Sequence, residues 1–190
     1  MQVNILRKHL AAAAVFAAES DVRYYLNYVL VEVASTEIRI VATNGATAGV
    51  CRSLSEQERM PDVAIPVASV KLALANKSEV LALEEKSGEW YIGGVRFAPL
   101  DRQYPDYRRI IPKGYSNEPA QYDVTLLQQF LKAGKALGVK SQPILRHNGD
   151  SGAQVQFYGR DDFVGVIMPL RVFTEKHPDN GLIQWGAERA

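Results

Sequence analysis

Seven lysine and arginine residues lie in or beside three segments that favour helix, where they could bind the phosphate groups of a nucleic acid. They are Arg7, Lys8, Lys71, Lys77, Lys132, Lys135 and Lys140. None of the three segments contains an aspartate or glutamate, whereas most surface helices carry both signs of charge. A helix face of one sign suits sequence-independent contact with a phosphate backbone. The alternative is ordinary solvated lysines, because the net charge of the chain is only +1.

The sequence gives little support for catalysis. The string Gly149-Asp150-Ser151-Gly152 resembles a serine-protease nucleophile motif, but it falls where a hairpin turn is needed and has no matching His and Asp partners. His9, His147 and His177 do not have metal-ligand spacing to one another or to Cys51. We therefore predict that the protein is not an enzyme and uses neither a metal nor a cofactor.

Composition is that of an ordinary globular chain. The 190 residues are 47% hydrophobic and 23% charged. A single cysteine, Cys51, excludes an intramolecular disulfide and suggests a reducing compartment. The apolar run from Leu10 to Ala18 is mostly alanine and is too short to span a bilayer. We expect a cytoplasmic protein.

Each basic segment lies inside a repeated pattern of elements. Hydrophobic periodicity predicts a strand, a helix and three further strands in residues 1–57, and the same order again in 62–100 and 119–171. In the third copy we predict a first strand over 119–124 and a helix whose apolar face comprises Leu127, Phe130, Leu131, Gly134 and Leu137. One such unit is too small to bury its own elements, so neighbouring units must pack together.

The first unit carries the strongest strand signals. Alternation predicts a strand that begins at Tyr25, and a second strand over Glu37–Thr43. Asn44-Gly45 between the second and third strands predicts a hairpin with a type I′ turn. The third strand is expected to start at Thr47.

Four strings in the chain resemble the bacterial DNA polymerase III beta subunit, the sliding clamp. They are D-V-R-Y-Y-L-N at 21–27, V-A-T-N-G at 41–45, Y-P-D-Y-R-R-I-I-P-K at 104–113 and V-G-V-I-M-P-L-R at 164–171. The resemblance covers about residues 1–172. It implies an α+β DNA-clamp fold with helices on one face of antiparallel sheets. It also implies a complete clamp-like domain over 1–113, a half domain over 118–172 and a C-terminal tail over 173–190.

The resemblance also implies two binding surfaces. The clamp family lines a central channel with its helices, so the seven basic residues, with Tyr24 and Tyr25, would contact double-stranded DNA. A peptide groove, where polymerase or repair proteins bind the family, would comprise Leu26, Thr43, Gly45, Ala46, Thr47, Pro105, Arg109, Ile110, Val166, Met168, Pro169, Leu170 and Arg171. Ala46-Thr47 replaces the family's His-Arg pair. The alternative for these residues is packing of the interdomain seam.

The expected function is that of a DNA replication or repair accessory, a processivity factor rather than an enzyme. A clamp ring has twelve units, so four copies of a three-unit chain would match it as a homo-tetramer. The rival hypothesis is a decoy or adaptor that binds clamp partners, or a host clamp, without encircling DNA.

Overall fold

The computed structural model describes residues 1–171, which form eleven strands and three α-helices. The predicted tail over 173–190 lies outside the described residues. The helices are α1 (Arg7–Ala14), α2 (Val67–Leu74) and α3 (Val124–Ala136). The strands are β1 (Gln2–Leu6), β2 (Tyr28–Val33), β3 (Glu37–Thr43), β4 (Thr47–Leu54), β5 (Met60–Pro66), β6 (Val80–Lys86), β7 (Glu89–Ile92), β8 (Val95–Phe97), β9 (Pro143–Arg146), β10 (Ala153–Phe157) and β11 (Phe163–Ile167). No α-helix in this part of the chain is long and apolar enough to cross a membrane.

The first two units exchange their first strands. All strand pairs are antiparallel, and the two sheets have the orders β1-β6-β7-β8 and β5-β2-β3-β4-β11-β10-β9. Strand β1 of the first unit therefore completes the sheet of the second unit, and β5 of the second unit completes the sheet of the first. Each exchanged strand ends where the helix of its own unit begins.

The three helices pack side by side over one face of the sheets, with α1 in contact with both α2 and α3. The alternating strand residues that face the helices form the main core with the helix residues. Leu10 and Ala13 of α1 are fully buried, as are Ile5 of β1 and Ile40 of β3. The predicted α+β class, with helices on one face of antiparallel sheets, is thus confirmed.

Strand pairing, aromatic packing and a polar contact all attach the third unit to the first. Strand β11 pairs with β4 along five residue pairs and makes one continuous seven-stranded sheet. The rings of Phe16 and Phe130 pack with their centroids 4.9 Å apart, between α1 and α3. The His9 Nε2 atom of α1 lies 3.0 Å from Asp162 Oδ2 in the turn before β11.

A connector over 100–113 covers the opposite face of the seven-stranded sheet. Tyr104 and Tyr107 are buried there against Leu30, Val41 and Val50. The hydroxyl of Tyr107 donates to Glu32 Oε2 at 2.7 Å, and burial is the largest cause that raises the Tyr107 pKa to about 12. The connector is therefore held firmly on this outer face.

The strand predicted over 119–124 does not form. Asp123 is extended (φ −65°, ψ 121°), but the segment before it joins neither sheet, and the third unit is α-β-β-β. The physical reason is the exchange seen in the first two units. The first strand of a unit needs the sheet of a partner unit, and residues 1–171 hold no partner unit for the third.

Three local predictions were also wrong. Tyr24–Asn27 forms a short 3₁₀ helix, and the Asn27 side-chain amide holds the loop by accepting from the backbone N–H of Asp21 and donating to its carbonyl oxygen. The hairpin after β3 forms, but only Gly45 has a positive φ, so the turn is not type I′. Leu131 of α3 is 47% exposed instead of buried, while Phe130, Gly134 and Leu137 are buried as predicted.

Candidate functional site

The predicted DNA-contacting residues follow the helix layer. Lys8, Lys77, Lys132, Lys135 and Lys140 are exposed, and none of them forms a salt bridge within residues 1–171. No acidic residue lies inside α1, α2 or α3. Lys8, Lys132 and Lys135 thus lie on helices of one layer, and Lys77 and Lys140 lie shortly after helix ends, all without an ion-pair partner among the described residues.

Two of the predicted basic residues have partners. Arg7 donates from its guanidinium to the carbonyl oxygens of Leu74 and Asn76, at 2.8 Å each, and so caps the end of α2. Lys71 forms an ion pair with Glu19, at 2.6 Å. Arg7 thus ties the first helix to the second, and fewer of its donors face solvent.

Helix α3 carries the clearest one-signed face. Gln128, Lys132 and Lys135 are exposed together with Leu131, while Phe130 on the opposite side is fully buried. The four exposed positions lie one helical turn apart, so their side chains form one stripe. Such a stripe offers two ammonium groups and one amide to a phosphate backbone.

The tyrosine pair lies beside the helix layer. The rings of Tyr24 and Tyr25 meet edge to face, with centroids 5.9 Å apart, and Tyr24 lines a surface pocket with Lys71. Arg23 of the same loop pairs with Asp21, and the hydrogen bonds from Arg23 lower the Asp21 pKa to about 2. The loop is thus held in shape by an ion pair next to exposed aromatic surface.

A cavity of about 850 Å³ opens between the connector and the hairpin that joins β9 to β10. We call it the connector groove. Its lining is partly apolar and partly basic, with a flexible methionine at one end. The lining residues are Arg108, Arg109, Ile110, Ile111, Pro112, Lys113, Asn148, Asp150, Ser151, Gly152 and Met168.

Three predicted groove residues line this cavity: Arg109, Ile110 and Met168. The other predicted groove residues do not line the cavity. Exposed or half-buried positions are Gly45, Ala46, Pro105, Pro169, Leu170 and Arg171, and buried positions are Leu26, Thr43, Thr47 and Val166. Pro105 lines a separate pocket with Glu32 and Asp62.

The turn that differs from the family is bound to its neighbours. Ala46 accepts a backbone hydrogen bond from Met168, at 2.8 Å, which joins the turn to the end of the terminal strand. The hydroxyl of Thr47 contacts Gln129 Oε1 of α3 at 2.6 Å, so Thr47 points into the protein. The guanidinium of Arg23 lies against Gly45, whose φ of +88° disfavours any residue with a side chain. This turn is therefore held by contacts within the protein.

The sequence prediction missed the hairpin that forms one wall of the connector groove. Asn148, Asp150, Ser151 and Gly152 lie opposite the connector, and a Cβ atom at Gly152 would come within 3.3 Å of Met168 Sδ. The glycine-rich string signalled a turn but not which surface the turn would meet. Within residues 1–171, no three His, Cys, Asp or Glu side chains lie close enough together to hold a metal ion.

Comparison with known proteins finds sequence similarity over part of the chain. No family model matches the chain. It is 32% identical over 123 residues to the beta sliding clamp of Proteus mirabilis, covering 57% of this chain and 32% of that protein. It is 34% identical over 116 residues to the beta sliding clamp of Escherichia coli K12, covering 56% of this chain and 31% of that one. The chain thus spans about a third of the length of these curated relatives.

Solved structures extend the likeness to nearly the whole described chain. The sliding clamp of Pseudomonas aeruginosa superposes with a TM-score of 0.70 and 20% identity, over 90% of this chain and 67% of that one. The DNA polymerase III beta subunit of Thermotoga maritima superposes with a TM-score of 0.74 and 12% identity, over 91% and 66%. At these identities the likeness shows the fold. The described part of this chain therefore has the sliding-clamp fold, and somewhat more than half of its sequence is similar to about one third of a bacterial beta sliding clamp.

Proposed function

We propose that this protein is a non-enzymatic, clamp-like accessory of DNA replication or repair in the cytoplasm, which contacts double-stranded DNA without sequence preference. The observation that supports this most is the helix layer, where exposed lysines of α1 and α3 have no acidic partner among the described residues. Lysine ammonium groups bind phosphate through charge, and each contact releases a counterion from the DNA. Affinity should therefore fall steeply with salt.

The test is the salt dependence of duplex binding. Lys132→Ala combined with Lys135→Ala should weaken binding and should lower the slope of log K against log salt by about 0.9 for each lost phosphate contact. The matched control is Arg59→Ala with Lys86→Ala, which removes the same charge from a loop position before β5 and from the end of β6, both outside the helices. If both double variants change the slope equally, the helix layer is not the DNA-contacting surface.

We also propose that the connector groove binds a short peptide of a polymerase or repair partner. Met168, Ile110 and Ile111 give it apolar surface, and Arg109 and Lys113 give it positive charge. An extended peptide with apolar anchors and an acidic residue would match both features. Met168→Ala should weaken the affinity for a clamp-motif peptide about tenfold. Leu54→Ala removes an exposed side chain far from the cavity and should not. An unchanged peptide affinity in Met168→Ala would show that the connector groove is not the peptide-binding site.

We propose that the chain works as a homo-oligomer, with a tetramer as the assembly that supplies twelve units. Closed rings leave circular DNA slowly and slide off linear DNA, so retention on circular but not linear duplex supports the ring. The decoy or adaptor function is the second candidate, because residues 1–171 supply three helical units, a quarter of the twelve that a clamp ring has. Capture of clamp partners without retention on circular DNA would support the decoy.

A further inference from the structure

The first two units show how a clamp unit completes its neighbour. Strand β1 pairs with β6, and strand β5 pairs with β2, so each unit gives away the strand before its helix. Each of these strands ends at the residue just before its helix, which is Leu6 in β1 and Pro66 in β5. The residues one and three positions before that residue face the core. They are Ile5 and Val3 in β1, and Ile65 and Val63 in β5, all buried. The last residues have similar backbones, with φ −64° and ψ 119° at Leu6 and φ −53° and ψ 133° at Pro66.

The segment before α3 has the same design and no sheet to join. Asp123 has φ −65° and ψ 121°, matching Leu6 and Pro66. Ala120 and Tyr122 occupy the positions that face the core in β1 and β5, and Gln121 alternates with them. Within the described chain, residues 119–122 make a single backbone hydrogen bond, from Leu170 N to Gln121 O at 2.8 Å. Residues 119–122 thus have the sequence pattern of a strand but are not paired in a sheet.

The sheet of the third unit has the matching gap. Strand β9 pairs with β10 on one side and, among residues 1–171, with no strand on the other. Pro143 and Leu145 pair with the buried Phe157 and Val155, so they face the core, yet both remain half-buried. In the first unit β5 covers the corresponding edge of β2. On α3, Val124 and Leu131 are 66% and 47% exposed.

We propose that a second copy of this chain fills the gap by reciprocal strand exchange. Residues 119–123 of each copy would pair antiparallel with β9 of the other copy, as β1 and β5 do within the chain. Ala120 and Tyr122 would then lie over Pro143 and Leu145, and Gln121 would lie on the outer face beside Ile144 or Arg146. A second copy is the fitting occupant because it carries both the free edge and the free strand, and a two-fold axis satisfies both at once. This deepens the proposed oligomer and rests on it.

Paired cysteines test the exchange. A Gln121→Cys chain is mixed, under oxidising conditions, with an Ile144→Cys chain and separately with an Arg146→Cys chain. Opposed strand residues lie within the Cα distance that a disulfide spans. The control partner is Arg96→Cys, an exposed position on the edge strand β8 of the other sheet. The native Cys51 is fully buried and should stay unreacted.

We expect a two-chain disulfide product in the Ile144 or the Arg146 mixture and none with Arg96. No product in either mixture, or equal product with Arg96, overturns the exchange. Light scattering adds a second measurement. The unsubstituted chain should have the mass of two or more copies, and Tyr122→Glu should lower that mass. The control Tyr158→Glu, at an 82% exposed site, should not lower it. A mass of one chain at every concentration also overturns the proposal.

The two proposals fail separately. Retention on circular DNA without the cross-link means that the oligomer forms through other edges, and the exchange alone is wrong. A cross-link without DNA binding means that the exchange is right and the DNA-contacting function is wrong.

Discussion

Removing the carboxylate of Asp162 should destabilise the protein, because that carboxylate is the partner of a buried histidine. His9 is 2% exposed, and its Nε2 lies 3.0 Å from Asp162 Oδ2, while its Nδ1 has no partner in the described structure. Asp162 also accepts from Arg160 Nε at 2.8 Å. In Asp162→Ala both nitrogens of the His9 ring would be buried without a partner. The cost of one such group is about 1–3 kcal/mol.

The assay is thermal unfolding at pH 7.5. A loss of about 2 kcal/mol corresponds to a fall of roughly 4–8 °C in melting temperature for a chain of this size. Asp161→Ala is the matched control, because that neighbouring side chain is 98% exposed, and it should shift the midpoint by about 1–2 °C at most. Asp162→Asn keeps an acceptor oxygen for His9, so its melting temperature should lie between those of Asp162→Ala and Asp161→Ala. Equal midpoints for Asp162→Ala and Asp161→Ala would refute the reasoning.

Three further predictions concern buried groups. Burial lowers the His9 pKa below its usual 6.5 and outweighs the raising effect of Asp162, so the folded state disfavours the charged ring. The contribution of the neutral His9 ring to the free energy of unfolding should be fully present above pH 6.5. It should be lost as the pH falls from 6.5 through the lowered pKa, as measured by urea unfolding. Gly165→Ala should cost about 1–3 kcal/mol of unfolding free energy, because its Cβ would lie against Phe130, whereas Gly114→Ala in open space should not. Burial raises the pKa of the Cys51 thiol, so iodoacetamide should alkylate it in denaturant and not in buffer.

Local patterns predicted most of the elements. Strand β3 forms over the predicted residues, Glu37–Thr43, and β4 begins at the predicted Thr47, because alternation along a strand decides which face is buried. The failures depend on distant parts of the chain. The segment 119–123 has a strand's pattern but lacks a partner sheet among residues 1–171, and Leu131 of α3 lies on the exposed stripe with Lys132 and Lys135.

The candidate sites divide in the same way. A charge pattern belongs to the sequence, so the basic face of α3 could be predicted from Gln128, Lys132 and Lys135 alone. The connector groove is made by two segments far apart in the chain. The hairpin at Asn148–Gly152 was predicted as a turn, but its approach to Ile110 depends on the packing of the third unit against the first.

The third unit links the two proposed surfaces. The amide of Leu170, two residues after the groove residue Met168, donates to Gln121, which belongs to the segment proposed to exchange. If residues 119–123 leave for the β9 edge of a second copy, that amide loses its partner beside the groove. A freed backbone donor at the edge of an apolar groove is what an extended peptide can pair with. Assembly and partner binding would then be coupled through one hydrogen bond, so the cross-linked dimer should bind a clamp-motif peptide more tightly than the reduced chains.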